Sequence, residues 1–322
     1  MRRLVIVALT LILLPLVFLG VSHTVAAFRE ARAEAAFPPT GQIIEIEGAA
    51  VHADIQGPRD GIPIVLIHGA GGNTRDFTFR FSGELAQRGY YVITFDRPGF
   101  GYSDPVEGSP ASIAAQAARL AQAADALGVP KPIVLGHSLG GAVALAWATE
   151  RPDGIAGLVA VSAVSHRWPG GVDALYHNTN ASLGRLFLRP ALAAFVTETY
   201  IKAVMDAVFE PQTVPEGYDT YFGAALTIRR SSIAVNAAER VALEENVAAL
   251  VPFYDEIKAP ALIVHGTEDI IVSAEIHSVP LERALEDAIY VPLDGGGHMP
   301  HHTHADIVLD EIDALAVRAG LK

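Results

Sequence analysis

Short apolar runs alternate with helix-like segments along most of the chain. The runs are apolar throughout rather than every second residue, which is typical of strands buried on both faces of a parallel sheet. The segments between them repeat apolar residues every three or four positions, as helices covering such a sheet do. We therefore expect an α/β fold with a mostly parallel, doubly wound sheet. The runs are PIVLIHG, YYVITFDRPG, KPIVLGHS, GLVAVSA, PALIVHGTED and AIYVPLDGGGH.

Two segments allow more detailed predictions. Residues 42–56 alternate apolar and polar positions around Gly48, which predicts an antiparallel hairpin. The segment SPASIAAQAARLAQAADALGVP carries an apolar stripe at helical spacing. It predicts a helix that Ser109 caps, that has Pro110 at its first position and that stops at Gly128.

The alternation of strands and helices breaks after Ser162 and resumes near Ala259. The stretch between them has helical runs without a convincing strand, so we expect a helical cap inserted into one sheet domain. Its many aromatic residues suit an apolar pocket or simple helix packing, and no pocket residue can be singled out. The predicted organisation is a membrane or signal segment with its stalk (1–40), the first part of the core (41–163), the cap (164–257) and the second part of the core (258–322).

The first residues differ from everything that follows. Residues 4–21 carry no charge and are long enough to cross a bilayer as a helix, which predicts a membrane anchor. The alternative is a cleaved signal that ends near TVAAF, where Val25 and Ala27 would serve a signal peptidase. Arg2 and Arg3 favour a cytoplasmic amino terminus, so the rest of the chain would face the periplasmic or extracellular side.

The segment after the apolar stretch, FREARAEAAFPPTG, is interpreted as a short helical stalk that Pro38 and Pro39 terminate. We expect it to act as a spacer rather than as part of a site.

Composition narrows the class of protein. With 51% hydrophobic and 18% charged residues, the 322-residue chain can bury a sizeable core. Its formal net charge of -13, without a dense cluster of Lys and Arg, excludes a nucleic-acid partner. It contains no cysteine, which excludes disulfides, thiolate metal sites and a thiol nucleophile.

The octapeptide VLGHSLGG places Ser138 between an apolar run and a predicted helix. A serine at so sharp a strand-to-helix turn needs neighbours without bulky side chains, and Gly136 and Gly140 meet that need. Taken alone, the pattern is equally compatible with an ordinary tight turn. The rest of the chain must therefore supply a base, an acid and an oxyanion site.

With this context the chain resembles the α/β-hydrolase superfamily over residues 42–320, in the order nucleophile, acid, base. The resemblance implies Ser138 as nucleophile, Asp269 in LIVHGTEDIIV as acid and His298 in VPLDGGGHMP as base. A serine hydroxyl is a weak nucleophile until a base accepts its proton, and the imidazole needs a carboxylate to orient it. Glu268 and Asp294 remain alternative acids.

The resemblance also implies an oxyanion site. In LIHGAGG the backbone N–H of Ala70 would join that of Leu139 to bind the developing negative charge. The loop FDRPGFGYSD resembles a scaffold loop of the family, and we assign no chemistry to Asp96 or Arg97.

Two nearby histidines raise a metal alternative. His298 and His302 would share one face of a helix, as zinc ligands can. The three glycines before His298 favour a loop there instead, so we assign no metal and no cofactor.

A serine at the elbow sets this chain apart from relatives that cleave carbon–halogen bonds or epoxides with an aspartate. We expect a serine hydrolase acting on a carboxylic ester of a small to medium apolar substrate. Alternatives on the same triad are a carbon–carbon bond hydrolase, a lactonase and a cofactor-free haloperoxidase or perhydrolase. An alternative from another class is a non-catalytic relative that binds a ligand.

Overall fold

The computed structural model describes residues 2–322, and within them the chain forms one eight-stranded sheet. The strands are β1 (Gln42–Ile46), β2 (Ala49–Gln56), β3 (Ile62–Ile67), β4 (Tyr90–Phe95), β5 (Ile133–His137), β6 (Gly157–Val161), β7 (Ala261–Gly266) and β8 (Ala288–Leu293). Their order is β1-β2-β4-β3-β5-β6-β7-β8. The first two form an antiparallel hairpin, β2 pairs antiparallel with β4, and the remaining strands pair in parallel. The predicted sheet and hairpin are confirmed.

Helices connect the strands and cover the sheet. They are α1 (Arg2–Ala36), α2 (Arg75–Thr78), α3 (Phe81–Gln87), α4 (Ile113–Ala126), α5 (Leu139–Glu150), α6 (Ala174–Asn180), α7 (Arg189–Phe195), α8 (Glu198–Phe209), α9 (Tyr218–Tyr221), α10 (Ala224–Thr227), α11 (Arg230–Leu250), α12 (Ser278–Ala284), α13 (Pro300–Thr303) and α14 (Ala305–Arg318). A π-helical turn spans Gly184–Leu188 and a 3-10 helix spans Val251–Glu256.

The two faces of the sheet have separate apolar cores. Helices α4, α5 and α11 contribute side chains to one core, in which Trp147 is the largest residue. Helices α3 and α14 contribute to the other, together with Phe77 of α2. Because both faces are covered, the central strands are buried on both sides, which explains their continuous apolar sequences.

The predicted cap of α4 needs correction. The helix begins at Ile113, and the capping side chain is Ser112, whose hydroxyl accepts a hydrogen bond from the Ala115 N–H at 3.2 Å. Ser109 instead begins a turn, because its carbonyl accepts from the Ser112 N–H. The predicted stop at Gly128 is confirmed, with φ at 78°.

Between β6 and β7 the chain runs through α6 to α11, and the described residues there form no strand. This helical insertion packs through α11 against α4 and α5, two helices that cover one face of the sheet. We refer to it as the cap; its boundaries at residues 164 and 257 stay a prediction.

Helix α1 is continuous for 35 residues. Among residues 2–322 it is the helix that is long and apolar enough to cross a membrane. The expected spacer is wrong in one respect: residues 28–36 belong to this same helix, and its second half packs against α7 of the cap. Ala26 is buried there against Ala193 and Ala194, and Ala33 is also buried.

Candidate active site

Ser138 occupies the sharp turn between β5 and α5. Its backbone has φ 54° and ψ -121°, a conformation that costs a non-glycine residue about 1–3 kcal/mol. A Cβ on Gly136 would collide with the Gly140 carbonyl oxygen. A Cβ on Gly140 would collide with the carbonyl oxygen of Ile67 at the end of β3. The predicted need for glycine on both sides of the serine therefore has a direct steric cause.

Asp269 and His298 meet at the carboxyl edge of the sheet. Asp269 follows β7, and His298 lies on the loop between β8 and α13. His298 Nδ1 donates to Asp269 Oδ2 at 2.7 Å, and both side chains are buried. The alternative acids Glu268 and Asp294 are exposed to solvent. Of the three candidate carboxylates, Asp269 is the one that contacts the histidine.

Ser138 lies beside this pair without a direct hydrogen bond. Within residues 2–322 no hydrogen bond joins the Ser138 hydroxyl to His298. The neighbouring His137 connects them: its Nε2 donates to the His298 carbonyl oxygen at 2.9 Å, and the two ring centroids are 4.8 Å apart. Catalytic hydrogen bonds are often long in enzymes without substrate and tighten in the complex. Ser138, Asp269 and His298 therefore lie at the same edge of the sheet. The contact between His298 and Asp269 is formed, and the one between Ser138 and His298 is not.

A second histidine, His265 in β7, also holds Asp269. Its Nε2 donates to Asp269 Oδ2 at 3.1 Å and to the Val272 carbonyl at 2.8 Å. Its Nδ1 accepts from the Ser278 hydroxyl at 2.6 Å, which fixes the tautomer with the proton on Nε2. Sequence analysis missed this residue, because a histidine within an apolar strand gives no sign of what it contacts.

The Asp269 carboxylate is surrounded by N–H donors. Burial would raise its pKa, but the hydrogen bonds from His265 and His298 outweigh burial and hold the pKa of Asp269 far below its ordinary value. The backbone N–H groups of Ile271 and Val272 both donate to Oδ1 at 2.9 Å. The Asp269 carboxylate is therefore held in its ionised form and fixed in direction.

The peptide between Ser138 and Leu139 has a fixed orientation. The Ser138 carbonyl oxygen accepts from the Gly141 N–H at 2.9 Å and from the Val164 N–H at 3.1 Å. In a planar trans peptide the C=O and the following N–H point in opposite directions. The Leu139 N–H is therefore directed away from these scaffold contacts.

The peptide between Gly69 and Ala70 also has a fixed orientation, which directs the Ala70 N–H away from the scaffold. The Gly69 carbonyl oxygen accepts from Arg97 Nη2 at 3.1 Å and from His68 Nδ1 at 2.9 Å. His68 Nε2 in turn accepts from the Arg97 backbone N–H. Burial, with Arg97 nearby, lowers the pKa of His68 to about 4, so the ring is neutral and keeps this tautomer. A Cβ on Gly69 would lie 3.2 Å from the Ser138 Cβ, so the loop of Ala70 lies against the elbow.

Arg97 is buried and also reaches the cap. Its Nη1 lies 2.7 Å from Glu239 Oε1 of α11, and both side chains have 0% exposure. Its Nε donates to the His68 carbonyl, and Gln116 bridges Arg97 and Glu239. Arg97 thus keeps the scaffold role expected for it and adds a function that the sequence did not suggest: it orients the loop of Ala70.

The cap also holds the loop of His298. Gln212 uses both ends of its amide: Nε2 donates to the Gly295 carbonyl at 2.7 Å, and Oε1 accepts from the Gly297 N–H at 3.0 Å. A Cβ on Gly297 would collide with the carbonyl oxygen of Glu210. Close approach of the cap backbone therefore explains the glycine at 297, and Gly295 adopts a positive φ of 68°.

A buried polar cluster lies behind this loop. Asp76 Oδ1 accepts from the Tyr218 hydroxyl and from His302 Nε2, both at 2.9 Å. Burial would raise the pKa of Asp76, but the neighbouring histidines hold it well below its usual range. Met299 packs with Phe209 and Tyr218 of the cap next to the cluster. The cluster joins the cap to the helix that follows the catalytic loop.

The structure does not bring His298 and His302 together as a pair of metal ligands. His298 and His302 each bind a different carboxylate, Asp269 and Asp76, rather than facing a common point. Another group, Asp76, His137 and His301, places one potential ligand atom from each residue within 4.8 Å of the others, and all three are buried. Such a group has the residue types for a metal ion, although Asp76 Oδ1 already accepts hydrogen bonds from Tyr218, His302 and His301.

Comparison with known proteins identifies the class. The family description of the alpha/beta hydrolase fold matches residues 62–305, most of the chain, and the chain belongs to this family. The fold and the position of the site agree with it.

Two curated proteins and one crystal structure illustrate which hydrolases the chain is similar to. The chain is 26% identical over 255 residues to Lipase 1 of Psychrobacter immobilis, covering 79% of this chain and 76% of the lipase. It is 27% identical over 252 residues to 2-hydroxy-6-oxo-6-phenylhexa-2,4-dienoate hydrolase of Burkholderia cepacia, covering 76% and 84%. The crystal structure of a membrane phospholipase A, described as a bacterial virulence factor, aligns with a TM-score of 0.64 and 22% identity over 100% of this chain and 97% of that one. The lipase and the dienoate hydrolase support a hydrolase and leave its substrate open, and the crystal structure supports the fold.

Proposed function

We propose that this hydrolase cleaves a carboxylic ester of a small to medium apolar substrate through an acyl-enzyme intermediate. The observation that carries the proposal is the 2.7 Å contact between His298 Nδ1 and Asp269 Oδ2, next to a serine on a strained elbow. The similarity to lipases supports an ester as the bond cleaved.

The mechanism follows from the direction of each hydrogen bond. His298 gives its Nδ1–H to Asp269, so Nε2 is free to accept the Ser138 proton as the hydroxyl oxygen attacks the ester carbonyl carbon. The N–H groups of Ala70 and Leu139 stabilise the resulting oxyanion. The imidazolium then protonates the leaving alcohol, and water releases the acyl group by the same steps. These steps use only this chain and water.

A fluorophosphonate probe tests the nucleophile. The wild type should be labelled, and Ser138→Ala should not. Ser162 is a matched control, because it also follows a strand, has a positive φ of 44° and is buried. Ser162→Ala should therefore still be labelled. Labelling that persists in Ser138→Ala would disprove the assignment.

Carbon–carbon bond cleavage is the second candidate, because two dienoate hydrolases match 76% and 80% of this chain, a share similar to the 79% and 81% that the lipases match. A series of p-nitrophenyl esters of rising chain length separates the two candidates. Turnover that increases towards medium chains supports the ester. A labelled serine without turnover on any ester, together with cleavage of a 2-hydroxy-6-oxo dienoate, supports the second candidate.

We further propose that residues 4–21 remain attached as a membrane anchor, with the catalytic part on the periplasmic or extracellular side. Cleavage after Ala27 would cut α1 in the middle of its contact with the cap, where Ala26 has 0% exposure. The mature protein should keep residue 1 and resist carbonate extraction, and protease added from outside should reach the catalytic part. A mature N-terminus at Phe28 would contradict the anchor.

A further inference from the structure

Helix α1 changes its surroundings at Ser22. Before that residue most of the large apolar side chains that the structure describes are exposed, and after it one face is buried against the cap. Ser22, Ala26 and Ala33 are the buried residues, at helical spacing. The exposed ones are Leu4, Ile6, Val7, Leu9, Leu11, Ile12, Leu13, Leu14, Leu16, Val17, Phe18 and Val21.

The docked half of α1 is held by charges as well as by packing. Arg230 Nη2 lies 2.6 Å from Glu30 Oε2, and the Arg230 backbone N–H donates to the same carboxylate. Arg229 pairs with Glu34 at 2.9 Å, and Arg29 donates to the Ala194 carbonyl at 2.8 Å. Contacts from Ser22 to Glu34, spread along about three and a half helical turns, fix the direction of α1, so the depth of the anchor also sets the depth of the cap.

The contact between Phe18 and Phe195 indicates how deep the cap lies relative to the membrane. Phe18 belongs to the apolar stretch, and its ring centroid lies 6.1 Å from that of Phe195 at the end of α7. At about 1.5 Å per residue, Phe18 is about 6 Å further into the membrane than Ser22. Phe195 touches Phe18 from the side and must therefore lie at a similar depth.

The chain around Phe195 has the composition of a surface that meets lipid. Residues 183–204, which we name the cap corner, expose several large apolar side chains: Leu183 72%, Leu186 46%, Phe195 47%, Tyr200 57% and Val204 47%. Exposed apolar groups of this kind mark interaction surfaces, and Tyr is favoured where hydrocarbon meets water.

We propose that the cap corner is a membrane-contacting surface, seated in the headgroup region of the leaflet that α1 enters. The proposal rests on the membrane anchor proposed above. The partner is the lipid bilayer itself, and continuity with the anchor through Phe18 and Phe195 selects it. An apolar ester dissolved in that leaflet would meet the cap without crossing bulk water.

The absence of cysteine makes the test clean, since each introduced thiol is the single labelling site. Phe195→Cys, Tyr200→Cys, Leu9→Cys and Ile289→Cys are labelled with an NBD fluorophore in the full chain. Each is reconstituted in phosphatidylcholine nanodiscs with and without doxyl-labelled lipid. Ile289 is the matched control, because it is 44% exposed but lies on β8, at the sheet edge opposite β1. Retained fluorophosphonate labelling shows that each variant is folded.

We expect lipid quenching at positions 195 and 200 to exceed that at position 289 by about twofold or more, with the strongest quenching at position 9. Quenching at position 9 with neither 195 nor 200 above the control would overturn the proposal and leave the anchor intact. No quenching at position 9 would overturn the anchor and the proposal together. The hydrolase assignment is judged separately by serine labelling.

Discussion

The sheet edge and the cap hold the same site by different means. At the sheet edge, backbone groups do most of the work: N–H groups fix the Ser138 carbonyl and the Asp269 carboxylate within short loops. The cap instead contributes a few long side chains, Gln212, Tyr218 and Glu239, that reach loops distant in sequence. In the proposed mechanism the sheet edge therefore supplies the reacting groups, and the cap determines how firmly two of their loops are held.

This difference predicts a graded response to mutation. Removing a group at the sheet edge should remove chemistry while substrate binding survives. Removing a cap contact should loosen a loop whose reacting groups are all still present. The size of the fall in kcat, large in the first case and small in the second, separates these two outcomes.

The largest effect is expected for Asp269→Asn. The amide cannot accept the Nδ1–H of His298 as a carboxylate does, so the imidazole loses its tautomer and its charge partner. We expect kcat to fall by about 10⁴-fold with little change in KM. Glu268→Gln and Asp294→Asn are the matched controls and should retain activity, since both residues are exposed. A greater loss from either control would move the role of acid away from Asp269.

Arg97→Lys tests the buried ion pair between Arg97, at the sheet edge, and Glu239 of the cap. Lysine keeps a charge for Glu239 but cannot also hold the His68 and Gly69 carbonyls, so the Ala70 N–H loses its fixed direction. A single oxyanion donor is worth about 10²–10³ in kcat, and we expect about 10- to 100-fold here. Arg151→Lys alters the exposed pair with Asp125 and should change little. An unchanged kcat in a folded Arg97→Lys variant would show that the loop is held without Arg97.

Gln212→Ala tests the cap alone. It removes both hydrogen bonds to the glycine loop and leaves the His298 side chain intact. Misplacement of a catalytic group by about 1 Å can cost up to about 10²-fold, and we expect about 10-fold in kcat with a slower rate of fluorophosphonate labelling. Gln122→Ala, at an exposed contact with Glu47, is the control. Equal rates in the two variants would mean that the cap does not position the histidine loop.

The proposed catalytic residues could be selected from the sequence because their positions follow from local rules. A serine flanked by glycines after an apolar run, and polar residues at the ends of later strands, are visible in one segment at a time. The positioning residues were missed because their partners are far apart: Gln212 lies 83 residues from Gly295, and Arg97 lies 142 from Glu239. Their residue types also have ordinary surface roles, so only the fold reveals them.

The partners of the stalk were also missed because they lie far away in the sequence. FREARAEAAFPPTG has the charged, alanine-rich composition of a solvated helix, and its end near Pro38 was predicted correctly. Its partners, Arg229 and Arg230, lie almost two hundred residues later. Composition therefore gave the helix but not the contact that makes it part of the cap.

The smallest effect at neutral pH is expected where the chain leaves β6 for the cap. His277 Nδ1 accepts from the backbone N–H groups of Ser165 and His166, and burial, with His265 and His166 nearby, lowers the pKa of His277 to about 4. The unfolded chain takes up this proton near pH 6.5 and the folded chain only near pH 4, so stability present above pH 6.5 is lost as the pH falls between them.

His277→Asn keeps an acceptor at the same place but does not titrate. Its loss of unfolding free energy between pH 7 and pH 4.5, measured by urea unfolding of the full chain in detergent, should be smaller than that of the wild type by about 1–3 kcal/mol. His177→Asn on α6 should follow the wild type, and an equal acid loss in all three proteins would show that His277 does not carry this pH dependence.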